Sequence, residues 1–187
     1  MSFILLVEQV LNGIQSGVML FLMAAGLTLI FGVMGLINLA HGSLYMVGAF
    51  AAAAVAAATG SFLLALVAAL AAAALAGCLI EMTVIRRLYD RDHLDQVLAT
   101  FALILIFSEG TRFFFGSFPL FLDMPDAVAG PVTLPGGIQY PLYRLVIIGV
   151  GLAIAAGLFL LIARTRIGIQ IRAGEADREM IAALGVD

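Results

Sequence analysis

The chain is 187 residues long, 64% hydrophobic and only 11% charged, against about 25% charged in ordinary soluble domains. Its formal charge of −3 comes from 12 acids and 9 arginines with no lysine, which argues against a nucleic-acid surface and a polybasic lipid anchor. A mean hydropathy of +1.17 makes it an integral membrane protein.

The single Cys78 excludes an intrachain disulfide and speaks against a metal cluster; in its Ala-rich setting it reads as a small core residue. Met1-Ser2-Phe3 lacks a basic region or small-residue cleavage site, so no removable signal peptide is read. From Gln9 to Leu79 the chain is uncharged, too long a run for one crossing when about 20 residues at 1.5 Å each span the hydrocarbon. Two polar interruptions, Gly35–Ser43 and Thr59-Gly60-Ser61, divide it into spans expected at 10–35, 43–58 and 61–85.

The first interruption, Gly35-Leu-Ile-Asn-Leu-Ala-His-Gly-Ser43, is a polar island between apolar runs. Asn38, His41 and Ser43 fall where the flanks imply hydrocarbon, and a polar group left unpaired there costs roughly 2–7 kcal/mol. Gly35 and Gly42 allow the helix to break, and broken backbone at membrane depth is tolerated where protein buries it or where it lines a watery cavity. One reading is therefore a re-entrant break lining a solute path; the other is a short loop at the membrane surface with His41 in water. The brevity of the 43–58 span favours the break.

Small residues at helical spacing, Gly13-xxx-Gly17 and the alanine runs at 51–58 and 68–76, predict tight packing within a multi-helix bundle. Arg86, Arg87 and Arg91 then end the third span and mark the cytoplasmic side. A fourth span at 94–115 carries Glu109 and Arg112 at i and i+3, placed to pair on one face; a proton-relay role for Glu109 is the functional alternative. Residues 116–141 hold all five prolines and no basic residue, which predicts a non-cytoplasmic (periplasmic) extended loop with a turn at Gly136-Gly137. A fifth span at 142–163 returns the chain to Arg164, Arg166, Arg172 and Arg178 on the cytoplasmic side. If the first segment crosses once, the island lies nearer that side; if it is re-entrant, the inference reverses.

In the tail, 164–187, Ala176, Met180, Ala183 and Leu184 share one helical face while Glu175, Asp177, Arg178 and Glu179 cover most of the rest. Acids in the first turn and Gly185 after the last apolar residue predict a helix over 175–184, too short and too charged to span. It lies on the cytoplasmic face, either docked in a partner's groove or covering the bundle ends.

Ile37-Asn-Leu-Ala-His-Gly42, His93-Leu-Asp-Gln-Val-Leu-Ala-Thr-Phe101 and Ile171-Arg-Ala-Gly174, with Asp177-Arg-Glu-Met180 and Ala183-Leu-Gly185, resemble the LivH-type permease of branched-chain amino-acid ABC importers. The resemblance implies an all-α, polytopic helix bundle with a short cytoplasmic coupling helix, a single transmembrane permease domain over 1–187 in a bacterial inner membrane. It implies two ABC ATPase subunits, a second LivM-like permease and a periplasmic binding protein as partners besides the lipid bilayer, and no cofactor. Asn38, His41 and Ser43 then correspond to the translocation path. Arg172, Glu175, Asp177, Arg178, Glu179, Met180, Leu184 and Gly185 correspond to the ATPase coupling segment.

Two departures stand out. Ser43 replaces an acid that such permeases often carry after the His-Gly pair, and they continue with further spans beyond the coupling helix, so the chain is expected to be incomplete. Without lysine no P-loop is possible and no catalytic triad or metal motif appears, so a transport subunit whose ATP hydrolysis resides on partners is expected, not an enzyme. Two alternatives stay open: a urea or short-chain amide ABC permease, and an ion-coupled secondary transporter with Glu109 or His41 as proton carrier.

Overall fold

The computed structural model describes residues 3–89, 91–118, 120–176 and 180. Among them, five helices are long and apolar enough to cross a membrane: α1 (Phe3–Met34), α2 (His41–Thr59), α3 (Phe62–Thr83), α4 (His93–Phe115) and α6 (Leu142–Arg164). The architecture is an all-α, multi-pass bundle. A one-turn helix α5 (Asp126–Ala129) and a hairpin of β1 (Pro131–Leu134) and β2 (Ile138–Pro141) precede α6, and α7 (Arg166–Ala176) follows it.

The chain forms two units, one from Gly35–Met124 and the other from the first 34 residues with residues 125–187. In the first, α2 and α3 make an antiparallel hairpin whose turn is fixed by local chemistry. Gly60, at φ +66°, takes the left-handed position that ends α2 without a Cβ penalty. Ser61 caps α3 by accepting the Leu64 N–H at 3.4 Å, and the Thr59 hydroxyl donates to Val55 O at 2.7 Å. Where the hairpin closes, a Cβ on Gly48 would lie 3.2 Å from the Ala69 carbonyl oxygen and 3.6 Å from the Ala73 methyl. Helix α4 runs parallel to α2, with Phe50 and Phe115 stacked at 4.8 Å and the Thr111 hydroxyl 3.8 Å from Met46 Sδ.

In the second unit α1 and α6 run parallel. The Tyr140 hydroxyl and the Arg144 guanidinium both donate to Asn12 Oδ1 near one end, and buried Gly151 meets Val18 farther along. The N-terminal half of α1 therefore lies beside the Pro-rich segment. That segment is a small hairpin in place of a plain extended loop. Pro135 and Gly136 turn it, Gly136 at φ +95° and the Gly137 N–H donating to Leu134 O at 3.1 Å, as a type II turn requires. Ile138 and Tyr140 bury their side chains beneath the hairpin.

Large apolar side chains such as Leu20, Leu63, Leu70 and Phe159 face outward, while Ala40, Ala65 and Gly48 are buried. Lipid tails are as apolar as leucine, so association rests on close fit between small residues. Cys78, expected in the core, is exposed on α3, because the face of that helix packed on α2 is the one holding Ala69, Ala73 and Gly77. Gly13, of the Gly13-xxx-Gly17 pattern, has open space where a Cβ would stand.

Gly48→Val is expected to destabilise the α2–α3 hairpin by about 1–3 kcal/mol, the ordinary range for overpacking. Thermal unfolding in detergent micelles checks this: Gly48→Val lowers the midpoint, and Gly13→Ala leaves it unchanged or slightly raised.

Candidate functional site

An α-helix crossing hydrocarbon satisfies its own backbone, so any interruption must find partners for the groups it frees. The interruption here is Gly35–Ala40. Gly35 takes φ +64°, the left-handed conformation in which helices commonly end, directly after α1 stops at Met34. The chain then closes on itself. Asn38 Oδ1 accepts the Ala40 N–H at 3.0 Å, an Asx-type turn, while Asn38 O accepts the His41 N–H at 3.3 Å and Ala40 O accepts the Ser43 N–H at 2.9 Å. His41 opens α2, so His41 and Ser43 both lie in its first turn.

These residues are interior. Leu36 and Ala40 are 0% and 1% exposed, Asn38 4% and Ser43 6%, which is not the environment of a surface loop. His41 is half-buried, and its Nδ1 is buried with no hydrogen-bond partner among the described residues. A buried polar atom without a partner costs about 1–3 kcal/mol, so this nitrogen is where the break has unused hydrogen-bonding capacity.

Helix α4 holds the break from the side. Thr100 is fully buried, its hydroxyl 2.8 Å from Gln96 O, 3.2 Å from Val97 O and 3.4 Å from Ile37 O. Buried Gln96 donates from Nε2 to Leu88 O and Arg91 O, both at 3.1 Å, and its Oε1 lies 3.4 Å from His93 Nδ1. It thereby ties the start of α4 to the arginine-bearing turn before it, which the Tyr89 hydroxyl closes by donating to Glu81. Sequence reasoning passed over Thr100 and Gln96 as site residues. The signal available was four-residue spacing of polar groups on an otherwise apolar helix.

The polar knot of Asn12, Tyr140 and Arg144 was missed in the same way. Arg144, one turn inside α6, was overshadowed by the arginine-free loop before it; its Nε reaches the Tyr143 hydroxyl at 3.1 Å and its guanidinium lies 5.7 Å from that ring's centre. Glu109 and Arg112 pair at 3.2 Å on an exposed face, as their spacing predicts.

The coupling residues belong to the other unit. Arg172 lies on α7, its Nη1 donating to Ile162 O at the end of α6. Glu175 is in the last turn of α7, and Met180 is helical and exposed. Asp177, Arg178, Glu179, Leu184 and Gly185 lie outside the described residues. Helix α7 begins at Arg166, where Thr165 caps it: Oγ1 accepts the Gly168 N–H at 3.1 Å; of the helix expected over 175–184 only Glu175, Ala176 and Met180 are among the described residues.

These features define an all-α, multi-pass integral membrane protein whose buried polar side chains gather around one helix break. The family described as branched-chain amino acid transport system, permease component, matches residues 9–187, and the chain belongs to it. With its five candidate spans it is thus a multi-pass membrane member of a transport-permease family. Among its relatives is the high-affinity branched-chain amino acid transport system permease protein BraD of Pseudomonas aeruginosa, 30% identical over 199 residues that take in 96% of this chain and 62% of BraD. The LivH permease proteins of Salmonella typhimurium and Escherichia coli K12 are each 39% identical over 49 residues, 26% of this chain and 16% of theirs. The chain thus spans about 62% of the length of BraD. No solved structure matches it.

Asn38→Ala leaves the buried Ala40 N–H unpaired and is expected to cost about 1–3 kcal/mol, more than Thr100→Val at about 1 kcal/mol. Unfolding midpoints of the two variants in the same detergent check the order. The reverse order would mean that the break is held chiefly from α4.

Proposed function

We propose that the chain is the membrane permease subunit of an ABC importer for branched-chain amino acids, forming part of the translocation path and coupling to two cytoplasmic ATPases. The observation that carries this is the family match over residues 9–187, with BraD and the LivH proteins named for the same transport system. In this reading a second, LivM-like permease completes the path and a periplasmic binding protein delivers the substrate. ATP hydrolysis belongs to the ATPases, so the chain itself is not an enzyme.

Asn38, His41 and Ser43 line the path. What supports this is the buried break they share and the unpartnered Nδ1 of His41. In this reading the arginines after α6 are cytoplasmic and α1, which runs parallel to α6, enters from outside, so the break follows its cytoplasmic end; the hydrogen bonds of Asn12 to Tyr140 and Arg144 support that parallel course. Arg172, Glu175, Asp177, Arg178, Glu179, Met180, Leu184 and Gly185 form the coupling segment. A secondary carrier using Glu109 gains nothing from the structure, since that carboxylate already sits against Arg112.

Uptake of labelled leucine and labelled urea by cells lacking this gene, and by the same cells given it back, tests the reading. Leucine uptake should return and be abolished by ATP depletion with the proton gradient intact. Return of urea uptake alone would keep the family and change the cargo; uptake that collapses with the gradient instead of ATP would overturn the ABC reading. His41→Ala should lower leucine uptake while the ATPases still co-purify, and loss of that association would make His41 structural.

For the coupling segment, Arg178→Ala combined with Glu179→Ala should abolish uptake with normal amounts of protein in the membrane. Unchanged uptake at normal expression would remove the coupling role.

A further inference from the structure

The unit built from α1, α6 and α7 contains an open cavity of about 400 Å³, within the range of about 300–1,000 Å³ for small-molecule pockets. Its long wall is α1 from Phe21 through Ala25 and Thr28 to Gly32; Ile162 of α6 and Arg172 of α7 close the other side. From Phe21 to Gly32 is about 17 Å along a helix at 1.5 Å per residue. That is close to half of the roughly 30 Å hydrocarbon thickness, the depth of one leaflet.

The chemistry is polarised along that depth. Phe21, Ala25 and Leu29 offer hydrocarbon, and the cation Arg172 stands where α6 ends. Arg172 donates one N–H to Ile162 O, and the residue is exposed. Arg164 ends α6 and Arg166 opens α7, both exposed. Among the described residues none of these three arginines is in an ion pair; the pair that does occur is Arg112 with Glu109. Arg172, an exposed cation lining an apolar slot one leaflet deep, is complementary to a molecule with an anionic head and a long apolar tail.

We propose that this cavity is a binding site for an anionic phospholipid of the cytoplasmic leaflet. One acyl chain lies along α1 between Phe21 and Gly32, and the phosphate meets Arg172. Anionic lipid is attracted to a cytoplasmic-side arginine by about the energy of a fivefold affinity change per cation. The guanidinium fork suits a phosphate better than an ammonium would, but charge rather than hydrogen-bond count sets most of the attraction. The inference rests on membrane placement and not on the cargo, so lipid binding and leucine uptake can fail separately.

The test is native mass spectrometry of the purified protein, delipidated in mild detergent and titrated with phosphatidylglycerol or with phosphatidylcholine of the same acyl length. Phosphatidylglycerol should be retained preferentially. Arg172→Gln keeps an N–H donor for Ile162 O and removes the charge, so retention should fall about fivefold, while Arg172→Lys should largely keep it. Ala25→Phe fills the slot and should also lower retention, with helicity by circular dichroism reporting whether that variant folds. Equal retention in Arg172→Gln and the unchanged protein would overturn the proposal. So would displacement of the lipid by excess inorganic phosphate, which would make the site one for a free anion, or no preference over phosphatidylcholine, expected if further protein fills the slot.

Discussion

Inside a bilayer a backbone amide that leaves its helix has no water to turn to, and the six residues Gly35–Ala40 are where this chain meets that constraint. The solution is almost wholly local. Asn38 supplies two acceptors, its side-chain oxygen for Ala40 and its carbonyl for His41, and Ala40 O takes the Ser43 N–H. An Asx turn thus replaces one missing helical turn, and an apolar residue at position 38 could not have done the same. The arrangement around it follows: α2 starts at His41 because its first donors are already placed, and α4 packs alongside because Thr100 carries a hydroxyl for the Ile37 carbonyl.

The other unit meets the same constraint with side chains. Arg144 is a cation near the start of a membrane helix, and it is held by Asn12, by the Tyr143 hydroxyl and by the Tyr143 ring. Tyr140, 2% exposed, shares the Asn12 acceptor and so ties the hairpin to α1. Asn12 and Asn38 play similar parts in their two units, each giving a carbonyl oxygen to donors that hydrocarbon leaves unsatisfied. Close contacts between small residues then complete the packing, at Gly48 against Ala69 and at Gly151 against Val18.

Much of this was legible in the residues. Hydropathy located the five spans, Thr59-Gly60-Ser61 located the hairpin turn, and Glu109 with Arg112 announced their pair through spacing alone. The polar island was recognisable as a break because asparagine and histidine in an apolar run are expensive unless paired. What stayed hidden were partners far apart in sequence. Nothing local to Thr100 names Ile37, and nothing near Asn12 names Tyr140 or Arg144, separated from it by 128 and 132 positions. Gly13-xxx-Gly17 was conspicuous by pattern, whereas Gly48 and Gly151 make the close approaches; which small residue meets a neighbour depends on helix rotation, which spacing alone leaves open. The helix α7, opened by the capping Thr165, had no sequence signal that the charge pattern after it did not obscure.

The way the break is satisfied bears on the transport role proposed for it. Its backbone bonds, from Asn38 to Ala40, Asn38 to His41 and Ala40 to Ser43, all lie within six residues, and the hydrogen bond that crosses from another element is the longer one from Thr100. The N–H groups of Ala40, His41 and Ser43 keep these partners when the segment exchanges neighbours, so the loss is the one hydrogen bond from α4, about 1 kcal/mol, whereas a break paired mainly with α4 would lose several. Alternating access asks for two states separated by only a few kcal/mol. On the proposed role, a self-closed Asx turn carrying His41 would keep the cost of moving the break low and would leave Nδ1, unpartnered among the described residues, for a guest to satisfy.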